Sequence, residues 1–320
     1  MIVVKRDWNE YNTKLVNRGK PSTYLGTALE RQEMDLVEMN RSKRGSPYRY
    51  SFMLIFAAFA IKAVDKKSYR AAAGAVEDFI KLSGKSEYPN FRTIHWRVKK
   101  LAKNGIKLMI YRSIGEEVKN IDVIIDSTGM KSRKDGEYRS SKYGKIKMWK
   151  QMHIVISRKT HKILNMKVTR EHAGDPNQFV DMIRPIARRQ IIRNAYADGA
   201  YGSNENFGFC GAKGIRAIIP VRINSFGKRD NKFRKHAIEE QFKFQRRPYA
   251  HRKYWYPNEN KRRENQELWK KESGYHQRSL VETVNSVFKN VFDEGVFSKR
   301  AGMIEKELLL KAVVYNTFIV

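Results

Sequence analysis

The sequence predicts an α/β protein: a mixed sheet with helices on its faces, preceded by a basic, all-helical domain. Three observations carry this. The 320 residues are 41% hydrophobic, enough for two packed cores. Near residue 120 the grammar changes from helical periodicity to short β-branched runs. From 121 onward the runs follow the order β-β-β-α-β-α-β-α. Three strands in succession before the alternation begins give a mixed sheet.

Residues 1–47 are polar and basic, with "NRGKPS" and "RSKRGSP", and read as an arm with short helices. Residues 48–104 read as a helical bundle. "YSFMLIFAAFAIKAV" is its apolar centre, and "SYRAAAGAVEDFIKL" is Ala-rich and amphipathic. After the break at "GKSEYPN", "RTIHWRVKKLAK" restarts a helix with Thr93 as N-cap. That helix carries Arg92, His95, Arg97 and Lys99. Three helices ending in a basic one suit a helix-turn-helix-type DNA reader. The alternative is a basic helix that only packs on the next domain. The expected division is 1–115 for the arm and helical domain, and 116–320 for the α/β domain.

"IDVIIDSTG" (121–129) reads as a buried strand entering a turn. "KIKMWKQMHIVISR" and "HKILNMKVTR" are two more strands joined at "KTH". "GDPNQFVDMIRPIARR" opens a helix with Asp175 as cap, Pro176 at the first position and Gln178 completing a capping box. "IIRNAYADGAYG" is strand then turn, "SNENFGFCGAKG" a short helix, and "IRAIIP" a strand. Residues 222–272 form a basic insertion of poor periodicity. An amphipathic helix from Ser273 and a last apolar helix, "IEKELLLKAVVYNTFIV", end the sequence.

Lys and Arg total 65 against 33 Asp and Glu, a formal charge of +32. The commonest polyanion able to neutralise such a charge is nucleic acid. The basic residues are spread along the chain, which disfavours a membrane surface. The longest apolar run, 52–64, is interrupted by Lys62 and is too short to span a bilayer comfortably. One cysteine, Cys210, excludes internal disulfides and leaves a cysteine-based zinc site unsupported. The expectation is a soluble, intracellular protein in a reducing compartment.

Three carboxylates stand out. Asp126 and Asp198 each end a predicted strand. Glu282 lies in "SGYHQRSLVETVNSVFK", where a helical wheel places Tyr275, Arg278, Glu282 and Lys289 within roughly 60° of one another. Leu280, Val281, Val284, Val287 and Phe288 take the opposite arc. Two strand-end aspartates beside a helix glutamate would make an all-oxygen pocket suited to Mg²⁺. Each residue also has a plainer reading: the aspartates cap turns, and Arg278–Glu282 is a surface i,i+4 pair.

Tyr275, Arg278, Glu282 and Lys289 fit the Y-x2-R-x3-E-x6-K spacing without a gap. With "IIDSTG", "YADGAY", "GIRAIIPVRIN" and the early Trp8, Tyr11, Asn12, Leu15, Val16, Arg18 and Gly19, the chain resembles insertion-sequence DDE transposases of the insertion-sequence four/five type. The resemblance implies an RNase H-like catalytic domain and a triad of Asp126, Asp198 and Glu282. It implies two Mg²⁺ ions, with Mn²⁺ as a substitute, and Tyr275, Arg278 and Lys289 handling DNA near the cut. Trp255 and Trp269, in the insertion, would stack on an unpaired base or else pack a subdomain. Lys145, Lys147 and Lys150 would touch the DNA backbone or else form a solvated strand edge. The implied partners are double-stranded DNA (terminal inverted repeats and target) and a second copy in a synaptic homodimer, with no membrane. The implied location is the prokaryotic cytoplasm, at the nucleoid. A metal-dependent nuclease of the same fold and a non-catalytic DNA-binding relative remain open alternatives.

Overall fold

The computed structural model describes residues 7–115, 120–132, 149–170, 176–225, 230–243, 258–298 and 300–320. The chain forms two compact units. One is helical and comprises Met1–Met109 with Phe288–Glu294 and Arg300–Val320. The other, built on the sheet, comprises Ile110–Val287 with Gly295–Lys299.

In the helical unit, α1 (Trp8–Arg18) is capped by Asp7, whose Oδ1 accepts from the amides of Asn9 and Glu10. Helix α2 (Pro21–Glu30) buries Tyr24, Leu25, Ala28 and Leu29, and α3 (Gln32–Asn40) follows. The segment expected to be an arm thus contributes core, because these four residues share one helical face. Helix α4 (Phe52–Val64) is buried from Leu54 to Ala63, capped by Ser51. Helix α5 is Tyr69–Leu82. Helix α6 runs from Phe91 to Lys100, and its cap is Asn90, not Thr93: the Asn90 Oδ1 accepts from the Thr93 amide at 2.9 Å. Helix α7 is Lys103–Arg112.

The C-terminal helix, Ala301–Val314, clusters with the helical unit rather than with the sheet. The lysine that interrupts the long apolar run supplies part of the reason. Lys62 is only 3% exposed, and its Nζ lies 3.5 Å from Oε1 of the buried Glu307. Lys311 Nζ lies 3.5 Å from the same oxygen and also donates to the Phe292 carbonyl. A buried ammonium requires such a partner.

In the sheet unit the strands are β1 (Asn120–Ser132), β2 (Trp149–Ser157), β3 (Ile163–Arg170), β4 (Ile191–Tyr196) and β5 (Arg216–Ile218). Their order is β3-β2-β1-β4-β5. A short β6 (Gly295–Val296) pairs the far end of β1. The first three strands are antiparallel neighbours, while β4 and β5 run parallel to β1. The sheet is mixed, and its strands and helices follow the order read from the sequence. Helix α8 (Pro176–Ala187) begins at the expected proline, and its expected cap Asp175 lies outside the described residues. Phe179, Val180, Met182, Ile183 and Ile186 of α8 join Ile121, Val123 and Ile125 of β1 in the main core. A 3₁₀ turn (Gly199–Tyr201) and α9 (Asn204–Ala212) link β4 to β5.

The insertion holds two helices that poor periodicity concealed, α10 (Lys232–Phe242) and α11 (Glu259–Glu272). Most of the side chains that α11 buries are polar, so no apolar stripe marks it, and α10 adds a buried Gln241 to its apolar Ala237, Ile238 and Phe242. The Gln241 side chain bonds the Val221 amide and the Ile219 carbonyl, both at 2.9 Å, and Gln266 donates to the Val221 carbonyl. Asn265 donates to the Phe242 carbonyl and Arg262 to that of Ile223. Helix α12 (Ser279–Phe292) follows, buried through Val281, Val284 and Phe288. Among the described residues, no helix is long and apolar enough to cross a membrane.

Candidate active site

Strand register brings the two aspartates together. The parallel ladder of β1 and β4 ends at Ile124↔Tyr196. Asp126 and Asp198 each lie two residues beyond that last pair, at the carboxyl ends where open sheets hold their ligands. Asp126 is not at the end of its strand, as the sequence suggested. β1 continues to Ser132, with Asp126 paired to Ile154 of β2. Its side chain is released because β4 stops while β1 goes on.

The carboxylate of Asp198 has two tasks. Its Oδ1 accepts from the Ala200 amide at 3.2 Å and so caps the 3₁₀ turn; its Oδ2 faces Arg278. Turn cap and site residue are therefore not alternatives here. The turn is compact: a Cβ on Gly199 would stand 3.2 Å from the Pro220 carbonyl oxygen.

The signature residues do not share one helix. Gly274, at φ +69°, turns the chain into a 3₁₀ turn spanning Tyr275–Arg278, and the α-helix begins only at Ser279. The helical wheel thus fails for Tyr275 and Arg278. Glu282 stands in the first turn of α12, and helix N-termini favour an acidic residue.

Arg278 is the hub. Its Nη1 donates to Glu282 Oε1 at 2.5 Å; its Nη2 lies 3.3 Å from Asp198 Oδ2 and 3.8 Å from Asp126 Oδ1. Three carboxylates from three elements thus converge on one guanidinium. Asn285, one turn after Glu282, donates to Asp126 Oδ2 at 3.3 Å. The sequence reading missed Asn285, although its position at i+3 from Glu282 was the available signal.

Electrostatics reflect the crowding. Burial pushes the Asp126 carboxyl up to about 6; Arg278 opposes that shift, and Glu282 and Asp198 add to it. Burial likewise raises the Tyr275 hydroxyl to about 12, against the pull of Arg278. The Arg278 guanidinium is raised despite its own desolvation, chiefly by its bond to Glu282. Three hard oxygen donors are the chemistry that suits Mg²⁺ or Mn²⁺. As folded, among the described residues, no three such side chains stand close enough to hold an ion; the carboxylates gather on the guanidinium instead.

A family model described as "Transposase DDE domain" matches residues 119–317, well over half of the chain. The chain belongs to this DDE transposase family. A second family model with the same description matches residues 16–135 of the transposase. A curated relative is an uncharacterized protein of Aquifex aeolicus (strain VF5), 24% identical over 231 residues, covering 67% of this chain and 68% of that one. Among solved structures, the piggyBac transposase synaptic complex with hairpin DNA is 12% identical, with a TM-score of 0.43, over 95% of this chain and 74% of that one. The Drosophila P element transposase strand transfer complex is 10% identical, with a TM-score of 0.34, over 91% and 70%. The family is one of phosphodiester-cleaving, strand-transferring enzymes that use divalent metal ions.

The other predicted residues of the transposase scatter. On α6, Arg92, His95 and Lys99 are exposed, together with Trp96 at 52% and Lys100, whose Nζ lies 5.3 Å from the Trp96 ring centroid. Arg97 differs from expectation. It donates to the Tyr50 carbonyl at 3.2 Å and lies over the Tyr48 ring, so its guanidinium serves the packing of its own unit. For Trp269 the packing alternative describes the folded chain. The residue is 4% exposed, with its ring 6.2 Å from that of Tyr275, so it packs the subdomain and offers no face to a base. Lys150 is half-buried on β2, and Lys289 is half-buried in the last turn of α12, in the helical unit. Lys145, Lys147 and Trp255 lie outside the described residues.

Proposed function

We propose that the chain is the transposase of an insertion sequence of the Tyr-Arg-Glu-Lys signature group. In this reading it binds the terminal inverted repeats of its element, hydrolyses the strand at the element ends and joins the freed 3′-OH to target DNA. The observation that carries the proposal is the convergence of Asp126, Asp198 and Glu282 at one point beside the β1–β4 opening.

Asp126, Asp198 and Glu282 would hold two divalent ions, Mg²⁺ by preference. When bound, such ions supply activation of a hydroxyl and charge stabilisation at the leaving oxygen. The protein's own residues do the rest. Asn285 orients the Asp126 carboxylate, and the 3₁₀ turn fixes that of Asp198. Tyr275 and Arg278 stand beside the carboxylates, where a phosphate next to the cut would lie. The exposed Arg92, His95, Lys99 and Lys100 on α6 suit backbone contacts with the repeat. Two element ends call for a synaptic homodimer.

The test is a Mg²⁺- and Mn²⁺-dependent cleavage and joining assay on DNA carrying the element's flanking ends, with wild type and Asp198→Asn. Cleavage and joining lost in the variant, with DNA binding kept, is the expected result. Cleavage without joining would indicate a nuclease. Binding without cleavage in either metal would indicate a non-catalytic DNA-binding protein.

A further inference from the structure

The guanidinium of Arg278 stands among the very oxygens that the proposed function assigns to metal ions. The other oxygens of the two aspartates are already occupied. Asp198 Oδ1 accepts from the Ala200 amide, and Asp126 Oδ2 accepts from Asn285. The oxygens left to face the pocket, Asp198 Oδ2 and Asp126 Oδ1, are those turned to Arg278 Nη2. A divalent ion needs oxygens at about 2.0–2.1 Å. It cannot share them with a cationic guanidinium at the same point, because the two charges repel across a few ångströms.

The grip of Arg278 is also incomplete. Only the Glu282 contact is tight; those to Asp198 and Asp126 are 3.3 and 3.8 Å, and the buried Nε has no hydrogen-bond partner among the described residues. One guanidinium against three carboxylates leaves two negative charges uncompensated when all are ionised. A donor held this way compensates charge without being locked in place. An Arg leaves such a position most readily when another planar or tetrahedral oxyanion accepts its fork, and a DNA phosphate is that anion.

We propose that Arg278 is a resident counter-cation: it holds the three carboxylates in the DNA-free protein and yields their oxygens to divalent ions when a DNA phosphate takes its guanidinium. The inference rests on the triad reading above. Its consequence is that metal loading and DNA binding are coupled, each favouring the other by the same factor.

The experiment is a titration of the full-length, DNA-free protein with Mn²⁺, followed by electron paramagnetic resonance. Wild type, Arg278→Gln, Arg278→Lys and Asp198→Asn are compared, and all are repeated with a short duplex oligonucleotide. Wild type should bind Mn²⁺ weakly without DNA and about tenfold or more tightly with it. Arg278→Gln should bind tightly without DNA, Arg278→Lys should fall between, and Asp198→Asn should abolish tight binding throughout. If Arg278→Gln fails to fold, the wild-type response to DNA and the lysine variant decide the matter. Equal Mn²⁺ affinity of wild type with and without DNA would overturn the inference. If that affinity is still lost in Asp198→Asn, the triad stands and only the counter-cation falls. If Asp198→Asn changes nothing in any state, the triad reading itself falls.

Discussion

At Asp126, burial and ionisation oppose each other. The folded carboxyl titrates at about 6 against 3.8 for the free group, so the folded chain keeps its proton longer. Between those values the unfolded chain binds fewer protons. Stability therefore falls as pH rises from about 4 to about 6 and stays at the lower level above. The term is on the order of 1–3 kcal/mol. Asp126→Asn removes it. In metal-free buffer at pH 7 the variant should melt above wild type, and its melting temperature should change less between pH 4 and 6. A variant that melts below wild type at pH 7 would show that Arg278 and Asn285 more than offset the burial. The three carboxylates were legible because two closed short apolar runs and the third sat in a fixed motif. Asn285 was legible only through its spacing from Glu282, and the inward turn of Arg278 was not legible at all, because it depends on how the turn before α12 meets β1, which no local pattern encodes.

At the scale of elements, every predicted strand from 121 to 220 was found, since β-branched runs bounded by Gly, Asp and Pro are a local signal. What local patterns could not reveal is polar burial. Helices α10 and α11 bury Gln241, Arg262, Asn265 and Gln266, which bond backbone groups and so interrupt the apolar pattern. The start of α6 shows the same limit on a smaller scale. Asn90 and Thr93 are both good caps by type, and only geometry chooses between them. Asn90→Ala should cost about 1 kcal/mol, whereas Thr93→Ala, inside the helix, should be neutral or stabilising by a few tenths, because Ala is the better helix former and keeps the amide that Asn90 caps. Urea denaturation of the two variants decides it; equal losses would mean that the cap contributes nothing particular.

On the scale of the whole molecule, the helical unit is closed by residues far apart in sequence. Lys62 and Glu307 are separated by 245 positions and buried against each other, with Lys311 on the same oxygen. Removing Glu307 alone would leave Lys62 and Lys311 buried without the carboxylate they share. Glu307→Leu is expected to cost about 3–5 kcal/mol. Adding Lys62→Met and Lys311→Met to the same chain should recover most of that loss, as read by thermal melting. A triple variant as unstable as the single one would mean that the cost lies in shape, not charge.

The same pair sets an order of events during synthesis. Translation at roughly 5–20 residues per second delivers Glu307 on the order of 10–50 s after Lys62. Throughout that interval Lys62 on α4 lacks the Glu307 carboxylate, and by its end every strand of the sheet has been made. The sheet unit is thus free to fold first, and the helical unit is completed last. A chain cut short before Glu307, by a stop codon or a frameshift, would retain the α6 surface but lack the ion pair that steadies the helices presenting it. On the function proposed above, such fragments would bind DNA poorly and compete little with full-length enzyme for the element's ends.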